Sequence, residues 1–519
     1  MNHSLCSDRM IRNDTLEVID LQNILTVADI RKSEKAAFDN GISSRELMSR
    51  AAEVVFNHLR PLQPPFAVIC GSGNNAGDGY AIAILLAAAA LPCTVIRISE
   101  TVSSDSRFFF DRCNELNIPL ERISENTDFH RFNTIVDCIF GIGYHDPMPV
   151  DVASVIERIN QSKAYVVSVD IASGLNADNG TGSPIRADLT VSIGELKPGH
   201  FLNQGMDFSG RVVNHGIGLS VARSDICLFG PEDLPRTLFY REHFTNKSTF
   251  GYIGLIGGCL QYQGAIRLAS MAAAAMRSGC GVVRLGFPRS LLDTVAPNVL
   301  ESTLFPFSCN NSGELVFNAD ELYRFCRGLK AIAFGMGIGT GTEARKLLLF
   351  LLHEYHGILI IDADGLNLLS GLTEAEYGHP SCRIVLTPHL LEFSRLSGLT
   401  IDEIRSSLIT AACDYARSHA VTLLLKGPCT LVTDGVSSRL LISGCAGMAT
   451  AGSGDVLSGI TAALCGSCGD DLLTAVASAA WLNGTAGEEA EKEYGAAGMI
   501  AGDTARMIPK VILSLNKSI

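Results

Sequence analysis

The chain has 519 residues, too many for one hydrophobic core, so two to four domains are expected. Hydrophobic residues at 47%, 50 glycines and 18% charged residues suit a compact α/β enzyme and exclude a disordered or coiled-coil chain. The formal charge of −13 argues against a nucleic-acid or anionic-membrane partner, so any phosphate site must rest on backbone dipoles and a few local cations.

Met1 to Asp20 mixes charges of both signs and lacks an apolar signal core. The longest apolar run, Ala81 to Leu91, stops at Pro92 and is too short to cross a bilayer. A cytoplasmic protein without a membrane partner is expected. Helical character over Val27–Arg50 precedes buried strand-like runs at Phe66–Cys70, Cys93–Ile98, Thr134–Ile139, Tyr165–Val169 and Leu189–Ile193. Helical stretches at Ala81–Ala90, Arg107–Leu116 and Val152–Ile159 separate them. That alternation implies a parallel, doubly wound sheet covered on both faces.

The pattern lapses around Leu219–Lys247, where Pro231, Pro235 and a polar stretch mark a boundary. It resumes with Tyr252–Ile256, helix Ala265–Ser278, Val282–Leu285, Ala331–Phe334, helix Glu343–Tyr355, Ile358–Ile361 and Arg383–Leu386. Thr400–Arg417, Thr422–Leu425 and alanine-rich helices beyond Asp455 complete it. The expected architecture is therefore α/β: two three-layer αβα domains over 20–222 and 246–519, joined by a linker over 223–245. The sixteen cysteines are scattered singly, as at Cys70, Cys138, Cys280 and Cys413, and only Cys465 and Cys468 are CxxC-spaced. Reduced, buried thiols are expected, and no zinc site.

Chemistry concentrates in the loops that follow strands. In the first half, Gly71-Ser-Gly-Asn-Asn-Ala-Gly-Asp-Gly79 lies between strand and helix, where main-chain N–H groups can hold a phosphate. Asn74, Asn75 and Asp78 add oxygen donors suited to a hard cation. Asp137 and Asp170 close later strands. Asp170, beside Ser173-Gly174, is a candidate acid or base or a carboxylate bonded to its own turn. Lys197 either faces the same cleft or is solvated.

In the second half, Gly257-Gly258, Gly335–Gly339, Asp362 to Asn367, Thr387-Pro-His389 with Glu392, and Lys426 to Thr430 follow successive strands. In an open α/β sheet those strand ends share one rim, where ligands bind. The Gly452-Ser-Gly-Asp455 turn then brings one carboxylate to a helix start, the arrangement a small-molecule phosphotransferase needs, although Asp455 could also be a plain N-cap. His389 is either a ligand-facing donor or a structural cap, and the roles of Asp362 and Asp364 stay open.

As a set, the second-half motifs resemble the ADP/ATP-dependent NAD(P)H-hydrate dehydratases of the ribokinase-like superfamily, roughly from Lys247 to Ile508. The resemblance implies Asp455 as catalytic base and Gly452 and Gly454 as an anion hole. It places Lys426, Gly427, Pro428, Cys429, Thr430 and Gly454 around the nucleotide, and Ala265, Gly337, His389 and Asp455 around the hydrated substrate. Mg²⁺ is expected there, with Glu392 contributing through it.

The first-half motifs resemble the NAD(P)H-hydrate epimerase domain, Rossmann-like in fold, roughly from Leu25 to Leu219. By that resemblance Asn74, Asn75, Ala76, Gly77, Asp78, Gly141, Ile142, Gly143, Tyr144, His145, Asp146, Pro147 and Asp170 hold NAD(P)HX. Asn75, Asp137 and Ser173 would coordinate K⁺, and Asp170 would be the acid/base group. Ala76 stands where the family usually has glycine, Ala172 where it has proline, and His145 near its usual basic residue.

The implied function is repair of hydrated nicotinamide nucleotides. R- and S-NAD(P)HX are interconverted, and the S epimer is dehydrated to NAD(P)H with ADP as co-substrate, giving AMP and phosphate. A homo-oligomer is expected. The alternatives are a dehydratase with a degenerate epimerase domain and a ribokinase-like small-molecule kinase.

Overall fold

A computed structural model describes residues 22–219, 224–238, 240–271 and 277–515. Its first strand, β1 (Gln22–Asn23), belongs to the sheet of the second half. The first half is built on β2 (Phe66–Cys70), β3 (Cys93–Arg97), β4 (Leu120–Arg122), β5 (Thr134–Cys138), β6 (Tyr165–Val169), β7 (Leu189–Ile193) and β8 (Arg211–His215). They lie in the order β4-β3-β2-β5-β6-β7-β8, every neighbouring pair parallel. All five residues of β2 are buried, as in a strand covered by helices on both faces. The chain leaves β2 toward β3 on one side and returns to β5 on the other. The C-terminal ends of β2 and β5 therefore bound the switch-point crevice where such sheets bind ligands.

The second sheet adds β9 (Ile226–Leu228), β10 (Tyr252–Ile256), β11 (Val282–Pro288), β12 (Thr303–Phe307), β13 (Ala331–Phe334), β14 (Ile358–Ile361), β15 (Arg383–Leu386), β16 (Val421–Leu425), β17 (Thr430–Thr433) and β18 (Ser438–Leu441). Its order is β1-β9-β18-β17-β16-β15-β14-β13-β10-β11-β12. The body from β10 to β16 is parallel, while β17 pairs antiparallel with both β16 and β18. One face packs Ile253, Leu255 and Val385 against the helices of Ile460, Leu482 and Ile508. The other packs Ile332, Leu359 and Leu423 against those of Leu347, Phe393 and Ala412. Both halves are thus three-layer αβα units.

Local chemistry breaks two stretches expected to be continuous helices. Val27–Arg50 divides into Val27–Asp39 and Ser44–Leu59, because Gly41 takes a φ of 87° and the Ser43 side chain caps the second helix at Glu46 N–H. Thr400–Arg417 divides at Ser407 into Ile401–Ser406 and Leu408–His419. The helix expected over Ala265–Ser278 is Gln263–Ser270, and residues 272–276 lie outside the described residues. Among the described residues no helix is long and apolar enough to cross a membrane. Cys70, Cys138, Cys413, Cys465 and Cys468 are free thiols, and Cys280 is buried.

The two units are sewn together at β1 and β9. Ile24 N–H donates to Ile226 O at 3.0 Å and Leu25 N–H to Leu196 O at 2.8 Å. β9, within the stretch expected as a linker, pairs with β18. Ile24, Leu196, Phe201 and Leu202 share one buried cluster with Ile256, Leu425 and Leu440 of the second sheet. Burying each such side chain contributes about 1.5–3 kcal/mol. Asn203 and Asn179 add side-chain bonds to Arg405 O and Ser406 O, at 3.0 and 3.1 Å.

Candidate active sites

At the switch point of the first sheet a cavity of about 480 Å³ opens. Asn74, Asn75 and Asp78 reach it from the turn after β2, Gly141 to Tyr144 from the turn after β5, and Asp170 from the end of β6. Glu34 comes from the helix Val27–Asp39, ahead of β2. Asp170 has a φ of 71°, a region costly for a residue with a Cβ. The surroundings hold it there. Its N–H donates to Val191 O at 2.8 Å, and His200 Nε2 reaches its carbonyl at 3.0 Å. Because a carbonyl only accepts, Nε2 carries the hydrogen, and Nδ1 is left to accept from Lys197 N–H at 3.4 Å. Burial holds this imidazole neutral, pushed down to about 4.

Lys197 faces the cavity, with a side chain only 1% exposed. Its ammonium donates to Asp170 Oδ1, to Ser192 Oγ at 3.2 Å and to Ile193 O at 2.9 Å, using its three protons. Ile193 N–H also reaches Asp170 Oδ1, at 3.2 Å. Oδ2 lies toward Gly141, where a Cβ would stand 3.8 Å from it. Burial, reinforced by the Asp170 and Glu34 charges, pushes Asp78 well above the usual carboxylate range. Glu34 is raised by burial and by Asp170, with Lys197 opposing. One site therefore sets an ion-paired carboxylate beside two whose affinity for a proton is raised by burial, the kind of division that acid–base chemistry uses.

Beneath this cavity lies Asp137, fully buried. It accepts from Ser168 Oγ (2.8 Å), Ser173 N–H (2.9 Å), Ser173 Oγ (2.6 Å) and Ile139 N–H (3.2 Å). Burial still raises its affinity for a proton, with those bonds opposing. Ser173 Oγ is also 3.1 Å from Phe140 O, which accepts from the Asn75 amide at 2.9 Å. Carboxylate, hydroxyl, carbonyl and amide groups without thiolate or imidazole make a donor set that fits a hard monovalent cation.

Other residues expected at this site point elsewhere. Ala76 lies on the buried face of the helix Asn74–Ala88, in the core. It has no positive φ, so the missing glycine costs nothing there. Gly77 faces Met48 and Ser106, where a Cβ would clash at 2.7 Å with each. His145, Asp146 and Pro147 are exposed beyond the cavity wall, and Asp146 accepts from the Tyr144 hydroxyl at 2.5 Å.

On the second rim, Gly452 starts the helix Ser453–Cys468 with a φ of 92°, and Asp455 lies in its first turn. N–H groups there have no partner within the helix, which makes the turn a natural anion site. Burial, then the Asp362 charge, pushes Asp455 up to about 7, with Lys426 opposing and Asp364 adding a smaller rise. Lys426 Nζ donates to Asp362 Oδ1 at 3.0 Å, and Ser458 Oγ to Asp362 Oδ2 at 2.6 Å. A Cβ on Gly454 would stand 3.6 Å from both Asp362 Oδ2 and Lys426 Nζ. Despite its burial, Asp362 is held below the usual carboxylate range by Lys426 and these bonds.

Gly337 meets the helix Gln263–Ser270. A Cβ on it would stand 2.6 Å from Tyr262 Cβ and 3.1 Å from Ala265 Cβ. That helix also abuts the turn, since a Cβ on Gly452 would stand 2.4 Å from Leu268 Cδ1. His389 caps the helix Leu390–Ser397: its Nδ1 accepts from Glu392 N–H at 3.2 Å while its own N–H donates to Glu392 Oε2 at 2.8 Å. With Nδ1 accepting, the ring hydrogen is left on Nε2, on a side chain 51% exposed. Gly427 and Pro428 are exposed at the β16–β17 hairpin, but Cys429 turns into the core, where burial pushes its thiol up to about 12.

Glu392 does not fit the expected Mg²⁺ role. It is buried, Oε2 takes the His389 N–H and lies 3.9 Å from Lys426 Nζ, and Oε1 is 3.5 Å from His389 Nε2. Among the described residues no group of three or more His, Cys, Asp or Glu is placed to hold a metal ion.

Comparison with known proteins bears on both rims. Residues 253–510 match the NAD(P)H-hydrate dehydratase family, and residues 44–199 match the YjeF-related protein N-terminus family. The bifunctional NAD(P)H-hydrate repair enzyme of Thermofilum pendens is 30% identical over 517 residues, 95% of this chain and 97% of that protein. That of Escherichia coli is 30% identical and covers 93% of each chain. The chain belongs to the family of bifunctional NAD(P)H-hydrate repair enzymes. Its halves are accordingly an epimerase domain and a dehydratase domain, which together repair hydrated NAD(P)H. Among solved structures, an ADP/ATP-dependent NAD(P)H-hydrate dehydratase from Bacillus subtilis, co-crystallised with ATP and Mg²⁺, is 25% identical over 56% of this chain and 98% of that one, with a TM-score of 0.47.

The repair enzyme's sites also contain residues whose roles the sequence leaves open or does not show. Lys197, either cleft-facing or solvated by sequence, is buried and lines the cleft, and Asp362, whose role is open by sequence, pairs with Lys426. Glu34 carried no local signal, since it reaches the epimerase cavity from a helix far from Asp170 in sequence. Glu488 and Glu491 hold the dehydratase's glycine loop, accepting from Gly444 and Gly447 N–H at 2.8 and 3.2 Å.

Proposed function

We propose that the dehydratase domain, over 246–519, transfers the β-phosphoryl group of ADP to the 6-hydroxyl of S-NAD(P)HX. The observation that carries this reading is Asp455: a carboxylate pushed up to about 7, in the first turn of a helix and beside the Lys426–Asp362 pair. A base with that affinity takes a hydroxyl proton well near neutrality. The hydroxyl oxygen attacks phosphorus and AMP leaves. The ring nitrogen lone pair then expels phosphate, and loss of the neighbouring ring proton restores the double bond of NAD(P)H. Gly452 and Gly454 N–H groups would hold the transferring phosphoryl group, with Lys426 to Thr430 along the nucleotide and Ala265, Gly337 and His389 along the substrate. Mg²⁺ would arrive with the nucleotide phosphates as part of the co-substrate.

In the epimerase domain, over 20–222, Asp170 and Asp78 serve as base and acid at the hydrated carbon. One assists departure of the hydroxyl as water and the other its return to the opposite face. Asn75, Asp137 and Ser173 would hold K⁺, which supplies a fixed positive charge near the substrate when bound. None of the departures at Ala76, Ala172 and His145 lines the cavity, which supports a working epimerase. The test is to incubate the protein with S-NADHX and ADP and quantify products. Equal amounts of NADH, AMP and phosphate support the reading; a stable phosphorylated product would make the domain a kinase instead.

A further inference from the structure

Asp362 belongs to none of the segments assigned above to substrate or nucleotide, yet it is buried and bonded on both oxygens. Ser458, which holds Oδ2, lies three residues after Asp455 on the same helix face. The next residue, Ala363, has a φ of 49°, so the backbone accepts strain where Asp362 is aimed inward and Asp364 back toward Gly339 N–H, at 2.8 Å. Charged groups around Asp455 are Asp362, Asp364 and Lys426, with Glu392 behind Lys426 at 3.9 Å and His389 beside Glu392.

We propose that Asp362 is a positioning residue for dehydration: it holds the Lys426 ammonium at the floor of the site, off Asp455, and so preserves Asp455 as a base. The proposal rests on the reading of Asp455 as that base. Lys426 Nζ lies under the Gly454 turn and within range of the Asp455 charge, so without Asp362 its remaining carboxylate partners are Glu392 and Asp455. An ion pair there would favour the ionised carboxylate and weaken its pull on a hydroxyl proton. Removing Asp362 also removes a like charge, which acts in the same direction.

The test compares pH profiles of kcat for ADP-dependent dehydration of S-NADHX by the full-length protein and two variants. In Asp362→Asn the acid limb should move down from the parent's by about one unit or more. The plateau should also fall, by about tenfold or more. Lys426→Met removes the cation and leaves Asp455 facing Asp362, so its limb should move up. Epimerisation of R-NADHX reports folding of each variant through the other domain. A limb that stays in place in both variants, or moves up in Asp362→Asn, overturns the proposal. If Asp362→Asn does not fold, the direction of the Lys426→Met shift decides. Full activity of Asp455→Asn would instead overturn the assignment of the base, whatever the other variants do.

Discussion

Lys197 is buried and gives its ammonium to Asp170, the residue whose backbone is held at a positive φ by its neighbours. Asp170 accepts at Oδ1 from both Lys197 and Ile193 N–H, which leaves Oδ2 toward the cavity. Replacing Lys197 by Met would leave a largely buried carboxylate without its cation. The expected cost is about 3 kcal/mol, at the low end for a buried pair because Asp170 keeps some contact with water. Epimerisation should fall by about a hundredfold. Urea unfolding and the rate of R to S conversion check the two parts separately.

Asp455→Asn should lose about 10²- to 10⁴-fold in dehydration while epimerisation persists, since that base lies in the other domain. Its stability should respond in the opposite direction. Because the folded protein raises Asp455 from 3.8 to about 7, the native state binds this proton more firmly than the unfolded chain. That stabilisation is complete below about pH 4 and disappears as pH rises through about 7. Melting temperatures taken across this window should show the asparagine variant gaining on the parent as pH rises.

His200 titrates with the other sign. Its buried imidazole is lowered from 6.5 to about 4, so its contribution to stability is present above pH 6.5 and lost as pH falls through about 4. A His200→Gln variant should show a flatter acid limb in urea unfolding midpoints. It should also epimerise more slowly, because both the Asp170 carbonyl and the Lys197 N–H lose their partner.

Ile24 ties the domains into one folding unit, fully buried among Leu196, Leu425 and Leu440. Ile24→Ala should cost about 3 kcal/mol through lost transfer energy and a residual cavity. Both activities should then disappear at the same, lowered urea concentration. Separate midpoints for the two activities would mean that the interface is not part of a shared core.

Much of this was legible in the sequence because buried parallel strands announce themselves as continuous apolar runs, as at Phe66–Cys70 and Ile358–Ile361. Strands at or next to a sheet edge do not. β1, β8 and β9 are short or half-exposed, and β1 and β9 gain their place by pairing with strands distant in the chain. The glycine-rich motifs located both rims, and Asp455, Asp170 and Lys426 lie where their loops pointed. What a motif does not reveal is side-chain direction. Cys429 sits within a ligand-like hairpin yet alternates into the core, and Ala76 lies within a ligand-like turn yet faces inward. Glu34 reaches its cavity, and Asp362 meets Lys426 and Ser458, through contacts across the chain, and such contacts leave no local pattern to read.

Repair of both epimers of the hydrated nucleotide by one chain is what joins the two sites. It is tested most directly by giving the full-length protein an equilibrated mixture of R- and S-NADHX with ADP and Mg²⁺, and following recovery of the near-ultraviolet absorbance of the reduced ring. Both epimers should be converted, and in Lys197→Met recovery should slow sharply once the S fraction is used. Recovery by the parent that stops at the S fraction would contradict it.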